Sequence, residues 1–323
     1  HEKYVTAVTF SPDGQTLATS SGDWKLHLWE LDGTPIENEL VGHTDVVTSL
    51  AFSPDGRLLA SGSGDCTLRL WERYGSQIAT PIQGHASAAI DRLISLSPYA
   101  IVSSADKTLQ LWDIKQGKQI GDSWVGHDDY IYALALSPDG KTIASGSGDG
   151  TLILWDCQGK QRSEPLRGHH AEVTDVAFCP DGKFIVSASS DTTLLLWNLD
   201  DKQQSAPFCA HDGQVNAIAI SGSGENIYIV SGGNDGYLVL WDRHGNPRNK
   251  FSGDDGPIKA IAFSPDGQFV MSGAANGILR RWNLEGKQQG DPFVGHQNAV
   301  TRIICLDSNT VLSASMDGTL RLW

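Results

Sequence analysis

No run of apolar residues in this sequence reaches the 18 or so needed for a helix to span a bilayer. Nor does any stretch hold the helical hydrophobic period beyond a turn or two, which excludes a helical bundle. Positive charge is scarce: 24 Lys and Arg stand against 38 Asp and Glu, a net charge of −14. Nucleic acid and anionic membrane surfaces reward clustered Lys and Arg, so neither is expected as a partner. Charged residues make up 19% of the chain, below the roughly 25% of ordinary domains. The five cysteines (Cys66, Cys157, Cys179, Cys209 and Cys305) are odd in number, far apart and lack C-x-x-C spacing. Neither a disulfide framework nor a zinc site follows from them, and single thiols suit a reducing cytosol. His1-Glu2-Lys3-Tyr4 contains no signal-peptide pattern, so a cytoplasmic location is expected. Walker A, HExxH and EF-hand patterns are missing too. No catalytic residue, metal or cofactor is expected.

What the sequence does have is glycine, 35 of 323 residues, and tryptophan, 10. That combination points to short strands joined by tight turns. Length alone suggests about two domains, but internal repetition overrides it. Trp29, Trp71, Trp112, Trp155, Trp197, Trp241, Trp282 and Trp323 follow one another at intervals of 41 to 44. His1, His43, His85, His127, His169 and His211, then Asp254 in the same place, then His296, keep intervals of 42 or 43. Two markers with one period make 1–323 a single domain of eight units, approximately 1–42, 43–84, 85–126, 127–168, 169–210, 211–253, 254–295 and 296–323.

Inside a unit the hydrophobic period is two, the strand period. In unit two, strands are expected at Val47–Phe52 (a), Leu58–Ser61 (b), Thr67–Trp71 (c) and Ile78–Ile82 (d). Ser53-Pro54-Asp55-Gly56 turns a into b, with Pro setting φ and Gly accepting a positive one. The same turn recurs at 11–14, 137–140, 179–182 and 264–267.

On Gly-His at 42–43, 84–85, 126–127, 168–169 and 295–296, and Trp-Asp at 112–113, 155–156 and 241–242, the chain resembles the WD40-repeat β-propeller family. Trp-Glu or Trp-Asn stands at 29–30, 71–72, 197–198 and 282–283. The resemblance covers the whole chain and implies an all-β, eight-bladed propeller of four-stranded blades around a channel. Apolar residues mark strand d three positions before each His: Leu40, Ile82, Trp124, Leu166, Phe208, Phe251 and Phe293. These are seven d strands for eight blades. A three-stranded blade at the seam is therefore expected, in a fragment of a longer protein. Units this alike resemble bacterial, cyanobacterial-like WD repeats, in which the array often accompanies a signalling domain.

His, Ser and Asp recur in each unit and could be mistaken for a nucleophilic triad. In unit two they are His43, Ser61 and Asp65, followed by Trp71. Units one, four and five repeat the set as His1, Thr19, Asp23, Trp29; His127, Ser145, Asp149, Trp155; and His169, Ser187, Asp191, Trp197. Family resemblance implies a structural tetrad, and an active site repeated around a ring is not credible. Two units look broken. Val102 is read at the Ser position of unit three, and Asp254 and Asn276 stand for His and Asp in unit seven; both blades are expected to be softer.

Resemblance also places partner binding on the face made by the d–a and b–c loops. There the third residue after each His is exposed and the fifth faces the channel. Candidate contacts are Tyr4, Trp24, Asp45, Asp128, Asp129, Tyr130, Tyr132, Glu172, Lys259 and Met316. Exposed Trp and Tyr anchor interfaces. The acids Glu2, Asp45, Asp128, Asp129, Glu172, Asp212 and Asp255, opposed only by Lys3, favour a basic protein or peptide. The function read from this is a non-catalytic scaffold or sensor, monomeric; a self-assembling array and a propeller enzyme are the alternatives.

Overall fold

The computed structural model describes all residues except 37–38, 74–76, 79, 86–87, 200–206, 210, 223–225 and 253–255. Among the described residues there is no α-helix. Eight small antiparallel sheets form a ring, so the chain is an eight-bladed β-propeller.

Each blade begins at its innermost strand. The eight inner strands are Val5–Phe10, Val47–Phe52, Arg92–Ser97, Ile131–Leu136, Val173–Phe178, Val215–Ser221, Ile258–Phe263 and Val300–Cys305. Each touches the next in order, and the eighth touches the first, which closes the ring. The second blade continues outward through Leu58–Ser63, Thr67–Glu72 and Ile82–Gln83. Its outer strand is shorter than the alternation at 78–82 suggests. Pro81, lacking an N–H, cannot donate to the ladder, and only a bridge between Trp71 and Gln77 extends the pairing.

Strand d varies in length around the ring. It shrinks to pairs of isolated bridges in blades one (Leu26 with Leu40, Trp29 with Pro35) and seven (Leu279 with Phe293, Trp282 with Gln288) and lengthens to Pro247–Ser252 in blade six. In blade three, Lys118–Gln119 and Trp124–Val125 both pair with Thr108–Asp113. Blade eight has three strands, ending with Leu320–Leu322. The a–b turns fold as their sequences imply: Gly56 N–H donates to Ser53 O at 2.8 Å, φ of Gly56 is 69°, and Ser53 Oγ donates to Asp55 at 2.6 Å.

The core lies between blades, not at the centre. Leu40 of blade one, for example, packs with Leu59 and Trp71 of blade two, all of them buried. Every sheet is thus covered on two faces by its neighbours, which is why strand b reads as a continuous run of buried residues, as in Thr142–Ser147.

Seven of the eight inner strands carry a register break after their first residue, for instance between Val47 and Ser49 and between Val173 and Asp175, while in blade three it falls between Ser95 and Ser97. The break leaves one residue bulged, its side chain turned toward the neighbouring blade. Thr6 and Thr48 donate to Val47 O and Ile90 O. Thr174 donates to Val215 O at 2.6 Å and Asn216 to Ile258 O at 2.7 Å. Thr301 reaches Val5 O at 3.5 Å across the seam. These are the fifth positions after the histidines, assigned to the channel from sequence; the structure uses their polar groups as ties between blades. Ile90 departs further from that expectation: it is 0% exposed, wedged against Gly62 and Gly84.

Candidate binding face

The face is held in shape by the histidine networks. In blade two, His43 Nε2 lies 2.7 Å from Ser61 Oγ, His43 Nδ1 lies 2.9 Å from Asp65, and Trp71 Nε1 donates to Ser61 Oγ at 2.9 Å. One proton arrangement satisfies every group. The indole donates to the hydroxyl, the hydroxyl donates to Nε2, and Nδ1–H of the neutral imidazole donates to the Asp65 carboxylate. Burial pushes the His43 pKa below its ordinary value against the pull of Asp65, which keeps the ring neutral. Burial raises Asp65, but hydrogen bonds from Thr67, Thr44 N–H and His43 outweigh it and leave its pKa at about 2.

The same geometry holds in the other blades read as intact. His1 reaches Thr19 at 2.8 Å and Asp23 at 3.1 Å, and Trp29 donates to Thr19 at 2.9 Å. His127 meets Ser145 (2.7 Å) and Asp149 (3.1 Å), with Trp155 on Ser145 (2.8 Å). His169 meets Ser187 (2.8 Å) and Asp191 (3.0 Å), with Trp197 on Ser187 (2.9 Å). The hydroxyls are sealed and already committed, so the set offers no nucleophile.

Unit three corrects the sequence reading. Ser103, not Val102, holds the Ser place: His85 Nε2 lies 2.9 Å from it and Trp112 donates to it at 2.8 Å. Counting back from Trp112 pointed to Val102, but the shortening lies after the serine, in the b–c turn. His85 Nδ1 meets Thr108 at 3.1 Å in place of a carboxylate. In unit seven, Trp282 donates to Ser272 at 2.9 Å, and Asn276 caps Ile278 N–H at 3.1 Å; Asp254 and Asp255 lie outside the described residues.

A fifth network member escaped the sequence reading. Thr67 donates to Asp65 at 2.7 Å, and Thr151, Thr193 and Thr319 do the same in their blades. Asp-x-Thr recurring before Trp71, Trp155, Trp197 and Trp323 was the signal. A serine two places before the Asp adds a further tie: Ser63 donates to Asp45 O, Ser147 to Asp129 O and Ser315 to Asn298 O, which pins b–c turn to d–a loop.

On this frame stand the candidate contacts. Tyr130 and Tyr132 are 51% and 40% exposed and line a pocket of about 430 Å³ between blades three and four. Asp91, Arg92 and Asp106 complete it, with Ala88, Ala89 and Ile131. Sequence reasoning missed these three because it weighed only the third and fifth residues after each His, whereas Asp91 and Arg92 are the sixth and seventh after His85 and Asp106 lies in the shortened b–c turn. Burial raises the pKa of Asp91, and burial, with Glu172 and Asp129 nearby, raises that of Tyr132.

The remaining candidates sit apart from this pocket. Tyr4 and Trp24 are 42% and 43% exposed on blade one, with the Lys3 ammonium 5.7 Å from the indole. Trp24 adopts a φ of 72°, the left-handed region that Gly150, Gly236, Gly277 and Gly318 fill in the corresponding turns. Met316, in blade eight, is 51% exposed. Asp45 and Asp129 each cap the following N–H, at 2.7 and 2.8 Å, while Asp128 and Glu172 project from the rim. Lys259 is engaged by Asn234 (3.1 Å) and Asn216 (3.4 Å). Ala299, expected to be exposed, is 9% exposed.

Among the described residues one trio of possible metal ligands occurs, His1, Asp23 and His27, of which the first two are already bonded to each other. No helix of the described residues is long and apolar enough to cross a membrane.

Comparison with known proteins follows the same lines. A family model described as "IFT122 first beta-propeller" matches residues 91–323, and "WD domain, G-beta repeat" matches 1–30 and 34–72. A crystal structure of the computationally designed Ika8 protein superposes with a TM-score of 0.84 at 29% identity, covering 100% of this chain and 96% of that one. SIR4-interacting protein SIF2 of Saccharomyces cerevisiae is 26% identical over 31% of the chain. Periodic tryptophan protein 2 of Arabidopsis thaliana is 34% identical over 27%, and ribosome biogenesis protein YTM1 of Vanderwaltozyma polyspora 28% over 31%. These matches span 18%, 10% and 26% of the relatives' own lengths. Period, blade geometry and family models agree: the chain belongs to the WD40-repeat β-propeller family.

Proposed function

We propose that this propeller is a non-catalytic interaction platform that binds a protein or peptide on its d–a and b–c loop face. The observation that carries the reading is the pocket between blades three and four. Two exposed tyrosines stand beside an Arg and two Asp, on loops that the histidine networks hold rigid. Aromatic side chains with few rotatable bonds provide contact area at low entropic cost, and preorganised loops lower it further. Asp128, Asp129 and Glu172 at the rim favour a partner carrying Lys or Arg. The names of the relatives, a SIR4-interacting protein and a ribosome biogenesis protein, are in keeping with work inside protein assemblies.

A displayed random-peptide library tests this. The intact protein is expected to enrich sequences with Lys or Arg next to a bulky apolar residue, and Tyr130→Ala with Tyr132→Ala to lose that enrichment. Selection of the same peptides by the double variant would sink the placement; enrichment of acidic peptides would sink the charge argument.

A further inference from the structure

The serine or threonine of each histidine network marks a common register. Just after it, strand b pairs with one residue of the inner strand. That residue is Ser49 in blade two (opposite Gly62), Arg92 in blade three (opposite Ser104), Asp175 in blade five (opposite Ala188) and Arg302 in blade eight (opposite Ala314). Alanine fills the place in blades one, four, six and seven. Arg92 joins this layer although it is the seventh residue after its His and the others are the sixth. One layer of the innermost strands thus carries three charged side chains and otherwise nothing larger than serine. At this register the side chain faces the next blade: the Asp175 carboxylate accepts the N–H of Ile218, in blade six, at 2.9 Å. Blades three, five and eight are not neighbours in the ring, so long side chains from them approach one another only across the channel.

Neither guanidinium has a counter-charge in contact. Among the described residues no carboxylate pairs with Arg92 or Arg302; Arg92 donates to Asp91 O at 3.0 Å and Arg302 to Thr301 O at 2.9 Å. Asp175 is already committed, to Ile218 N–H and, at 3.0 Å, to Val176 N–H. Burial and the Arg92 charge lower the Arg302 pKa against the pull of Asp175, so the three groups sense one another across the channel. An arginine gains no relief by losing its proton. Two like charges inside protein walls instead draw in an anion. Arg302 stays exposed, so a small solute can reach it, and the alanines leave the layer open. Ser49 lies in blade two, between the arginine-bearing blades, and its buried hydroxyl has no hydrogen-bond partner among the described residues. Asp91 and Asp106 stand on the blade-three side, in the tyrosine pocket that Arg92 also lines, which makes Arg302 the residue that isolates the channel from the pocket.

We propose that the channel binds one free phosphate-type oxyanion, clasped between Arg92 of blade three and Arg302 of blade eight. A guanidinium meets an oxyanion through two parallel N–H···O bonds. A tetrahedral oxyanion offers oxygens to two guanidiniums at once, whereas a carboxylate has a single pair to give. Bound there, the anion neutralises the arginine pair and ties two distant blades across the ring. The inference does not rest on the tyrosine pocket's role, since Arg302 is not part of that pocket.

The probe is inorganic phosphate, titrated calorimetrically into the intact protein in chloride buffer held at an ionic strength of about 0.15 M. One saturable site with a dissociation constant below about 1 mM is expected. The melting temperature should climb with phosphate and not with chloride. Arg302→Met keeps the apolar stem and removes the charge. It should weaken binding at least about tenfold, the loss of charge-assisted hydrogen bonds. In phosphate-free buffer it should melt no lower than the parent, because it relieves a repulsion. Arg302→Lys keeps the charge without the fork and should weaken binding several-fold less than Arg302→Met does. Asp175→Asn removes the opposing charge and should tighten binding. Tyr130→Ala with Tyr132→Ala should bind phosphate as the parent does, whatever becomes of its peptides, so the two proposals fail separately. Acetate binding as tightly as phosphate would overturn the two-arginine clasp. Unaltered binding by Arg302→Met, or no saturation by about 1 mM, overturns the site itself. Were Arg302→Met to misfold, Asp175→Asn decides, and unchanged or weaker binding by it is equally fatal.

Discussion

Replacing Ser61 by alanine removes one hydroxyl and orphans two buried partners. Ser61 is 0% exposed, Trp71 2%, and the His43 side chain 0%. The Trp71 indole N–H loses the acceptor at 2.9 Å, and His43 Nε2 loses the donor at 2.7 Å. A buried polar group left unpaired costs about 1–3 kcal/mol, so the two together cost about 2–6 kcal/mol. Unfolding entropy near 2.1 cal/mol/K per residue, over a chain of 323 residues, gives about 0.7 kcal/mol/K for one cooperative unit. The melting temperature should then fall by about 3–9 °C. Ser61→Thr is the control, because Thr19 makes the same contacts in blade one; it should cost less than about 1.5 kcal/mol, the extra methyl being the only change. Calorimetry and urea unfolding measure both variants. Equal losses for Ala and Thr, or an Ala loss below about 1 kcal/mol, would refute the view that the network is a closed chain of satisfied donors.

Other outcomes follow from single positions. His85 has its pKa pushed down to about 4 by burial, against 6.5 unfolded. The unfolded chain therefore binds the extra proton first, so His85's contribution is complete above pH 6.5 and is lost as pH falls toward 4, by up to about 3 kcal/mol; His85→Asn should flatten that part of a stability–pH curve. Trp24→Gly removes a bulky side chain from a φ of 72° and should raise the urea midpoint by an amount worth about 0.5–1 kcal/mol. Gly159→Ala would place a methyl 2.0 Å from Trp124 Nε1 at a φ of 87° and should lower stability by about 2 kcal/mol or more in the same titration. With a thiol reagent at pH 8, exposed Cys209 should react first. Cys179 and Cys305, whose thiols burial pushes up to about 12, should stay silent until the protein unfolds.

The repeat, strand order and most of the networks were legible because each is local in sequence: Trp71 finds Ser61 across one antiparallel pair, at a fixed count. Counting failed where the spacing changed. One residue lost from the b–c turn of blade three moved the apparent serine to Val102 and hid Asp106, while Asp91 and Arg92 fell outside the third and fifth places after His85 that were weighed. Contacts between blades were not legible for a different reason. The bulge that turns Thr48 toward Ile90 O leaves no mark in an alternating pattern, and the same threonine at an unbulged position would face the channel. Likewise Ile90 reads like any strand-a residue until Gly62 and Gly84 are seen to make room for it.

The bulged polar residues make the ring a hoop of staples, in which Thr6, Thr48, Thr174, Asn216 and Thr301 each fasten their blade to the one after it. A hoop loaded evenly opens at its slackest fastening. Thr174 and Asn216 close their joints at 2.6 and 2.7 Å, Thr301 spans 3.5 Å, and the apolar side chain of Ile90 offers blade three no staple to the blade after it. Heat or force should therefore strain the joint after blade three, and the joint from blade eight to blade one, before those that link blades five, six and seven.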